Sequence, residues 1–123
     1  MGAKARLDNL VLDSADPESI VPFWTALLGV DVVERLNEGQ YVELAAQPGG
    51  VALILQRVPE TKAGKNRMHV DLEVEDLGEA TAEIERLGGR WRDGEDRESF
   101  GYRWRNMADP EGNEFCIFPR RSA

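Results

Sequence analysis

Residues 68–89 read MHVDLEVEDLGEATAEIERLGG, and this stretch predicts a β-strand followed directly by an α-helix. Polar and apolar side chains alternate over its first seven residues, which is the period of a strand with one buried face. Asp76, followed three positions later by Glu79, is typical of a helix N-terminus, and the pair Gly88-Gly89 is typical of a helix end. A polar strand face and an amphipathic helix are therefore predicted side by side.

A similar arrangement occurs 60 residues earlier, where residues 8–29 read DNLVLDSADPESIVPFWTALLG. Adding 60 to Asn9 gives His69, and adding 60 to Gln56 gives Cys116. Pro17 suits the first turn of the earlier helix and Gly29 its end. Each helix is followed by three β-like runs: 30–36, 40–46 and 51–58 in the first half, and 90–92, 102–107 and 113–118 in the second. We predict one α+β domain over residues 1–123, built from βαβββ modules at 7–58 and 68–119, with mixed sheets and a polar linker at 59–67.

Composition narrows the classes of protein. A chain of 123 residues with 41% hydrophobic residues has the size and make-up of one globular domain. Cys116 is the single cysteine, so no intrachain disulfide forms, and no run is apolar enough for a signal peptide or a membrane helix. We expect a cytoplasmic protein without a membrane partner. The net charge of −8 disfavours nucleic acid as a partner and favours cationic ligands.

Three segments carry a resemblance to a known family. The closing hairpin ADPEGNEFCIF (108–118) and the strand MHVDLEV (68–74) resemble the glyoxalase/bleomycin resistance/dioxygenase superfamily, also called vicinal oxygen chelate proteins. The segment QRVPETKAGKNRMHVDL (56–72) resembles a glyoxalase-like branch of it. The resemblance implies two modules related by a pseudo-twofold axis. It also implies that each module curls its sheet into a cup, and that the two cups face one another around a small-molecule site.

The resemblance also bears on metal binding. Metal-dependent members place four ligands on the first and last strands of the two modules, and the matching positions here are Asn9, Gln56, His69 and Cys116. Only His69 is a strong donor for the divalent metals that such proteins use. We therefore expect no metal and no cofactor. The competing arrangement recruits a carboxylate from Asp71, Glu114 or Asp13.

His69 and Asp71 are the candidate catalytic residues, because alternation puts them on one strand face about 7 Å apart. They are suited to act as a base and its orienting carboxylate. Otherwise His69 is a structural histidine, and Asp71 forms an ion pair with Arg67 or Arg105. The candidate ligand-binding residues are Asn9, Gln56, Tyr102, Trp104, Glu114 and Cys116. The loop 65–67 either binds an anionic group of the ligand or is a solvated linker.

Three functions remain open at this point. The first is a metal-independent enzyme, of isomerase or lyase type, acting on a small metabolite. The second is a bleomycin-resistance-like binding protein that sequesters a cationic antibiotic, and the third is a scaffold without chemistry. We expect a homodimer in each case, because open sheet edges in a chain of this size are commonly covered by pairing.

Overall fold

The computed structural model describes Lys4 and residues 7–66 and 68–120. The chain forms two compact units, Met1–Thr61 and Lys62–Ala123. The division falls inside the predicted polar linker. None of the described helices is long and apolar enough to cross a membrane.

The first unit has the predicted βαβββ order: β1 (Asn9–Ser14), α1 (Pro17–Leu28), β2 (Val32–Leu36), β3 (Tyr41–Leu44) and β4 (Ala52–Arg57). Its sheet has the strand order β1-β4-β3-β2, in which β1 pairs with β4 in parallel and the other pairs are antiparallel. The helix and the sheet supply the buried apolar residues, which are Ile20, Val21, Phe23, Trp24, Val42, Leu44 and Leu55. The helical spacing of the α1 residues therefore marked a packed face.

The ends of α1 follow local chemistry. Pro17 occupies the first turn, where its missing N–H leaves no intrahelical bond unmade. Gly29 ends the helix with a φ of 67°, a left-handed conformation that glycine adopts without a steric penalty. Asp16 stands at the N-cap position, but its side chain makes no capping hydrogen bond. The helix also continues through Pro22.

The second unit contains β5 (Asp71–Val74), α2 (Leu77–Arg86), β6 (Arg90–Trp91), β7 (Arg97–Ser99), β8 (Tyr102–Ala108) and β9 (Glu114–Pro119). The strand order is β5-β9-β8-β6, β5 and β9 are parallel, and β7 pairs with β8. Asp76 Oδ1 accepts a hydrogen bond of 2.8 Å from Glu79 N, as the capping pattern predicts. The strand begins at residue 71 rather than 68, and β7 was not predicted. The α+β class with mixed sheets is confirmed.

Strand register corrects one part of the 60-residue relationship. Gln56 pairs with Asp13 and lies 43 positions after it, whereas Cys116 pairs with Asp71 and lies 45 positions after it. Since Asp71 corresponds to Val11, and Val11 pairs with Ile54, the counterpart of Cys116 is Ile54. Matching Gln56 with Cys116 was therefore wrong. The physical reason is a difference in connection length, because the chain between paired positions of the first and last strands is two residues longer in the second unit.

Candidate functional site

The polar face of β5 is open, as its sequence predicts. Residues 69, 71 and 73 are exposed, while residues 70, 72 and 74 are partly buried. His69 lies two positions before the strand begins, and pairing with β9 already starts at Val70, whose carbonyl accepts a 3.0 Å hydrogen bond from Cys116 N. His69 and Asp71 are therefore held next to the middle of β9.

His69 and Asp71 contact one another on this face. His69 Nε2 lies 3.3 Å from Asp71 Oδ1, and the two side chains are 43% and 56% exposed. The carboxylate can accept a hydrogen bond from a protonated Nε2. Nδ1 is then the ring nitrogen that can accept a proton. The pair has the arrangement of a base and an orienting carboxylate. It is also open to solvent, as a group that meets a diffusing ligand must be.

Cys116 is the strand neighbour of Asp71 and is present as a thiol. Its Sγ donates to Asn106 Oδ1 at 3.3 Å, across the antiparallel pairing of β8 with β9. Burial raises the pKa of the Cys116 thiol, the charge of Asp71 raises it further, and Lys65 and Arg92 oppose the rise. A thiol of this kind is a poor nucleophile, because the thiolate is the reactive form.

A cavity of about 350 Å³ lies beside these groups in the second unit. One wall is aromatic, with the rings of Trp104 and Phe118 stacked at a centroid distance of 5.7 Å. The lining residues are Lys65, His69, Asp71, Arg92, Trp104, Asn106, Glu114, Phe115, Cys116 and Phe118. Five of the eight candidate site residues therefore meet at one cavity.

The other three candidates lie elsewhere. Tyr102 lines a neighbouring cavity of about 770 Å³, together with Arg103 and Arg120, and this cavity shares Asp71 and Phe118 with the first. Asn9 pairs with Ala52 and donates to Asp8 Oδ2 at 3.1 Å, while Gln56 pairs with Asp13 at the far end of the same two strands. These two residues belong to the first unit, and their assignment to a ligand site stays a prediction.

Glu114 lines the cavity but is engaged by the linker segment. Lys62 Nζ lies 2.8 Å from Glu114 Oε2, and Asn66 N donates to Oε1 at 3.2 Å. Oε2 has no directional hydrogen bond from a described residue, so its partner is the lysine charge. Burial alone raises the pKa of this carboxyl, but the contacts with Lys62 and Asn66 outweigh burial and lower it. Glu114 thus anchors the segment that leads to His69.

Asp71 does not pair with Arg105, so that prediction was wrong. Arg105 instead contacts Asp96 at 2.6 Å, donates to Thr81 Oγ1 at 2.8 Å and stacks over the ring of Trp91 at 3.9 Å. Arg67, the other predicted partner, lies outside the described residues. Alternation explains the outcome, because Arg105 faces away from its strand neighbours Trp104 and Asn106.

Asn106 and Arg92 are lining residues that sequence reasoning missed, whereas strand alternation had placed Phe118 on the same face as Cys116. Asn106 lies two positions from Trp104, so alternation places it too on the face of a predicted site residue. That signal was available in the sequence. Arg92 follows a strand of only two residues, where alternation carries little information.

The chain combines two units of similar strand and helix order with a polar cavity at the exposed strand face of the second unit. The model of the glyoxalase-like domain family matches residues 9–118, which is most of the chain. The chain therefore belongs to the glyoxalase-like domain family, within the glyoxalase/bleomycin resistance/dioxygenase superfamily. No curated protein matches the sequence significantly.

Solved structures share the fold at low identity. An enzyme of the glyoxalase/bleomycin resistance protein/dioxygenase family from Burkholderia phytofirmans PsJN has a TM-score of 0.77 and 14% identity, covering 94% of this chain and 98% of that chain. A genomically encoded fosfomycin resistance protein from Listeria monocytogenes has a TM-score of 0.74 and 13% identity, covering 97% and 96%. A lactoylglutathione lyase from Agrobacterium tumefaciens has a TM-score of 0.67 and 16% identity, covering 96% of each chain.

The ligand set of the metal-dependent members does not fit these residues. Asn9 offers only a weakly binding carboxamide, and Ile54, the register counterpart of Cys116, offers no donor. The described residues do hold one group of three donors, because ligand atoms of His69, Asp71 and Cys116 lie within 4.8 Å of one another. In that group the imidazole already contacts the carboxylate, and the thiol already donates a hydrogen bond to Asn106.

Proposed function

We propose that the protein is a metal-independent enzyme of isomerase or lyase type that transfers a proton on a small metabolite bound in the second unit. The observation that carries the proposal is the contact of His69 Nε2 with Asp71 Oδ1 beside a ligand-sized cavity. Cavities of roughly 300–1,000 Å³ with an apolar wall and a few convergent polar groups are the usual form of small-molecule sites.

The chemistry begins with proton abstraction. Asp71 holds the imidazole so that Nδ1 accepts a proton from a carbon next to the carbonyl group of the substrate. The electron pair of the broken C–H bond then delocalises toward the carbonyl oxygen. An isomerase returns the proton from Nδ1 to a neighbouring atom. In a lyase the electron pair of the C–H bond forms a new C=C bond, and the leaving group departs with the electron pair of its own bond to carbon and takes the proton from Nδ1. Either outcome leaves His69 unchanged after one turnover.

The remaining walls are suited to position such a substrate. Trp104 and Phe118 present a flat apolar surface to a ring or chain. Asn106 already accepts from Cys116 and donates to Asp93 Oδ2 at 3.4 Å, so it forms a fixed polar edge. Since the thiol is protonated, Cys116 contributes a wall rather than a nucleophile.

Proton exchange tests the proposal directly. Protein dialysed against a chelator is screened with small metabolites by thermal shift, and each stabilising compound is followed by proton NMR in D₂O. We expect one class of compound to lose a C–H signal in the presence of wild-type protein and to keep it with His69→Gln. Glu73→Gln is the matched control, since it alters the next exposed position of the same strand. Exchange that survives His69→Gln overturns the assignment of the base.

Sequestration without turnover is the second candidate, and the net charge of −8 favours it for a cationic compound. A structural neighbour is a fosfomycin resistance protein, so a protective role is also compatible with this fold. The same screen separates the two functions. A cationic antibiotic that binds tightly, with no compound undergoing exchange, replaces the enzyme proposal with a binding protein.

The proposed assembly is a homodimer. The edge strands of the two sheets are β1 and β2 in the first unit and β5 and β6 in the second, and edges with unpaired backbone groups are commonly covered by association. Light scattering at micromolar concentration is expected to report twice the chain mass of 13.8 kDa. A mass of one chain contradicts the dimer and leaves the site proposal untouched.

A further inference from the structure

Two cations at the cavity have no carboxylate partner among the residues that the structure describes. Lys65 lies in the segment before β5, and Arg92 follows β6 directly; both are exposed and both line the cavity. Neither makes an ion pair with a described residue. The backbone of Arg92 is fixed, because its N–H donates to Asn106 O at 2.9 Å. The backbone of Arg92 is thus held at the end of β6, and its guanidinium has no ion-pair partner among the described residues.

Neighbouring arginines behave differently. Arg97 is paired with Asp93, and Arg105 is paired with Asp96 at 2.6 Å. Glu114 is neutralised by Lys62, whereas Asp71 contacts the imidazole that acts as the base and keeps its negative charge. The two cations therefore outnumber the one uncompensated carboxylate that lines this cavity, although the whole chain carries a net charge of −8.

These cations also act on the cavity interior. Lys65 and Arg92 lower the pKa of the Cys116 thiol, against the larger effects of burial and Asp71. Both side chains are thus close enough to influence the group next to the His69–Asp71 contact. A negatively charged group of a ligand placed between them gains from both charges, and a guanidinium pairs with a carboxylate through two parallel hydrogen bonds.

We propose that this cavity takes an organic anion, a carboxylate attached to a flat apolar body. Lys65 and Arg92 bind the carboxylate, and the stacked rings of Trp104 and Phe118 bind the body. The inference rests on the proposed function and names the substrate class for the same site. The negative charge of Asp71 repels the carboxylate from the His69 side, so the anionic end and the reacting end of the molecule are separated.

Three compounds with one aromatic body test the charge preference. Phenylacetate, phenylacetamide and phenethylamine are titrated into ¹⁵N-labelled protein, and the affinity is taken from the shifts of the amide signals of residues at the cavity. We expect phenylacetate to bind roughly tenfold more tightly than the amide. Its affinity falls as salt rises from 50 to 500 mM, because exposed charges are screened. Equal or tighter binding of the amide or the amine, or no binding of phenylacetate at 10 mM, overturns the proposal.

Variants locate the binding charge. Arg92→Gln and Lys65→Gln are each expected to weaken phenylacetate binding several-fold and to leave binding of the amide unchanged. Arg103→Gln is the control, because Arg103 lies on β8 but outside this cavity. An equal loss of affinity in Arg103→Gln shows a general charge effect and overturns the site.

The result is independent of catalysis. Anion binding that persists in His69→Gln, together with exchange that is lost, supports both proposals. Anion binding in a wild-type protein that exchanges no compound refutes only the proposed function. Exchange of neutral compounds, with no preference for anions, refutes only the substrate class.

Discussion

The two units share the βαβββ order, with β7 additional in the second unit, but differ in the side chains on their exposed strand faces. The first strand of the first unit presents Asn9 and Val11, where the second unit presents His69 and Asp71. The last strands pair likewise, with Ile54 opposite Val11 and Cys116 opposite Asp71. A βαβββ unit can therefore form without titratable side chains at these positions of its exposed strand face. The groups proposed to transfer a proton, His69 and Asp71, lie in the second unit.

Both units bury apolar residues on one face of their helix, which explains why they form the same type of fold. In α1 the buried positions include Ile20, Phe23 and Trp24, and in α2 they include Leu77 and Ile84. Apolar contacts hold the helix on the face of the sheet that it covers. The opposite, exposed face of each strand does not have to be apolar. Substitutions on one face at a time separate the role of the exposed strand face from that of the buried helix face.

The largest effect is expected at the exposed face of the second unit. For the compound identified by proton exchange, His69→Gln is expected to lower kcat/KM by about 100- to 10,000-fold, the usual contribution of a general base. Asn9→Ala, at the corresponding strand position of the first unit, is expected to change it little. Steady-state kinetics decides, and equal losses in the two variants contradict the concentration of chemistry in one unit.

The next effect concerns the buried face of the first unit. Phe23 is 1% exposed, and Phe23→Ala is expected to lower the free energy of unfolding by about 3–5 kcal/mol through lost burial and an internal cavity. Leu36→Ala, at a residue 47% exposed, is the control and is expected to cost less than about 1 kcal/mol. Urea unfolding followed by tryptophan fluorescence measures both. A small loss for Phe23→Ala means that α1 is not a packed element.

A smaller, pH-dependent effect is expected at Glu114. Its pKa is lowered in the folded protein, so the stability supplied by the carboxylate is complete above the unfolded value of roughly 4.3 and is lost as pH falls through the lower folded value. Lys62→Met leaves the buried carboxylate without its cation and is expected to cost about 1–3 kcal/mol at pH 7.

Urea unfolding of the wild type, Lys62→Met and Glu114→Gln between pH 3 and pH 7 tests this expectation. The acid-dependent loss of stability is expected to be reduced in Glu114→Gln, whose side chain does not titrate. An unchanged pH profile in that variant contradicts the role of Glu114 as the anchor of the linker segment.

No effect is expected from removing metal. Elemental analysis after dialysis is expected to find no stoichiometric divalent ion, and chelator treatment is expected to leave proton exchange unchanged. The reason is the donor chemistry, since Asn9 and Ile54 provide no strong ligand and the Cys116 thiol proton is already donated to Asn106. About one zinc, nickel, manganese or iron per chain, lost in both His69→Ala and Cys116→Ser, shows instead that His69, Asp71 and Cys116 form a metal site.

Several elements depend only on local rules and could therefore be predicted from the sequence. Alternation over residues 68–74 predicted which side chains of β5 are exposed, and Asp76 and Gly29 marked a helix start and a helix end. The contact between His69 and Asp71 also followed from alternation, because the two residues lie two positions apart on one strand face. Such features need only the conformational preferences of neighbouring residues.

Features that depend on pairing between distant segments could be read only from the folded structure. A register shift of two residues leaves every side chain on the same face, so alternation could not show that Ile54 rather than Gln56 corresponds to Cys116. The same limit applies to Glu114, whose carboxylate meets Asn66 from 48 positions away. These contacts are set by connection lengths and by competition among partners across the folded unit, and no local period in the sequence records either.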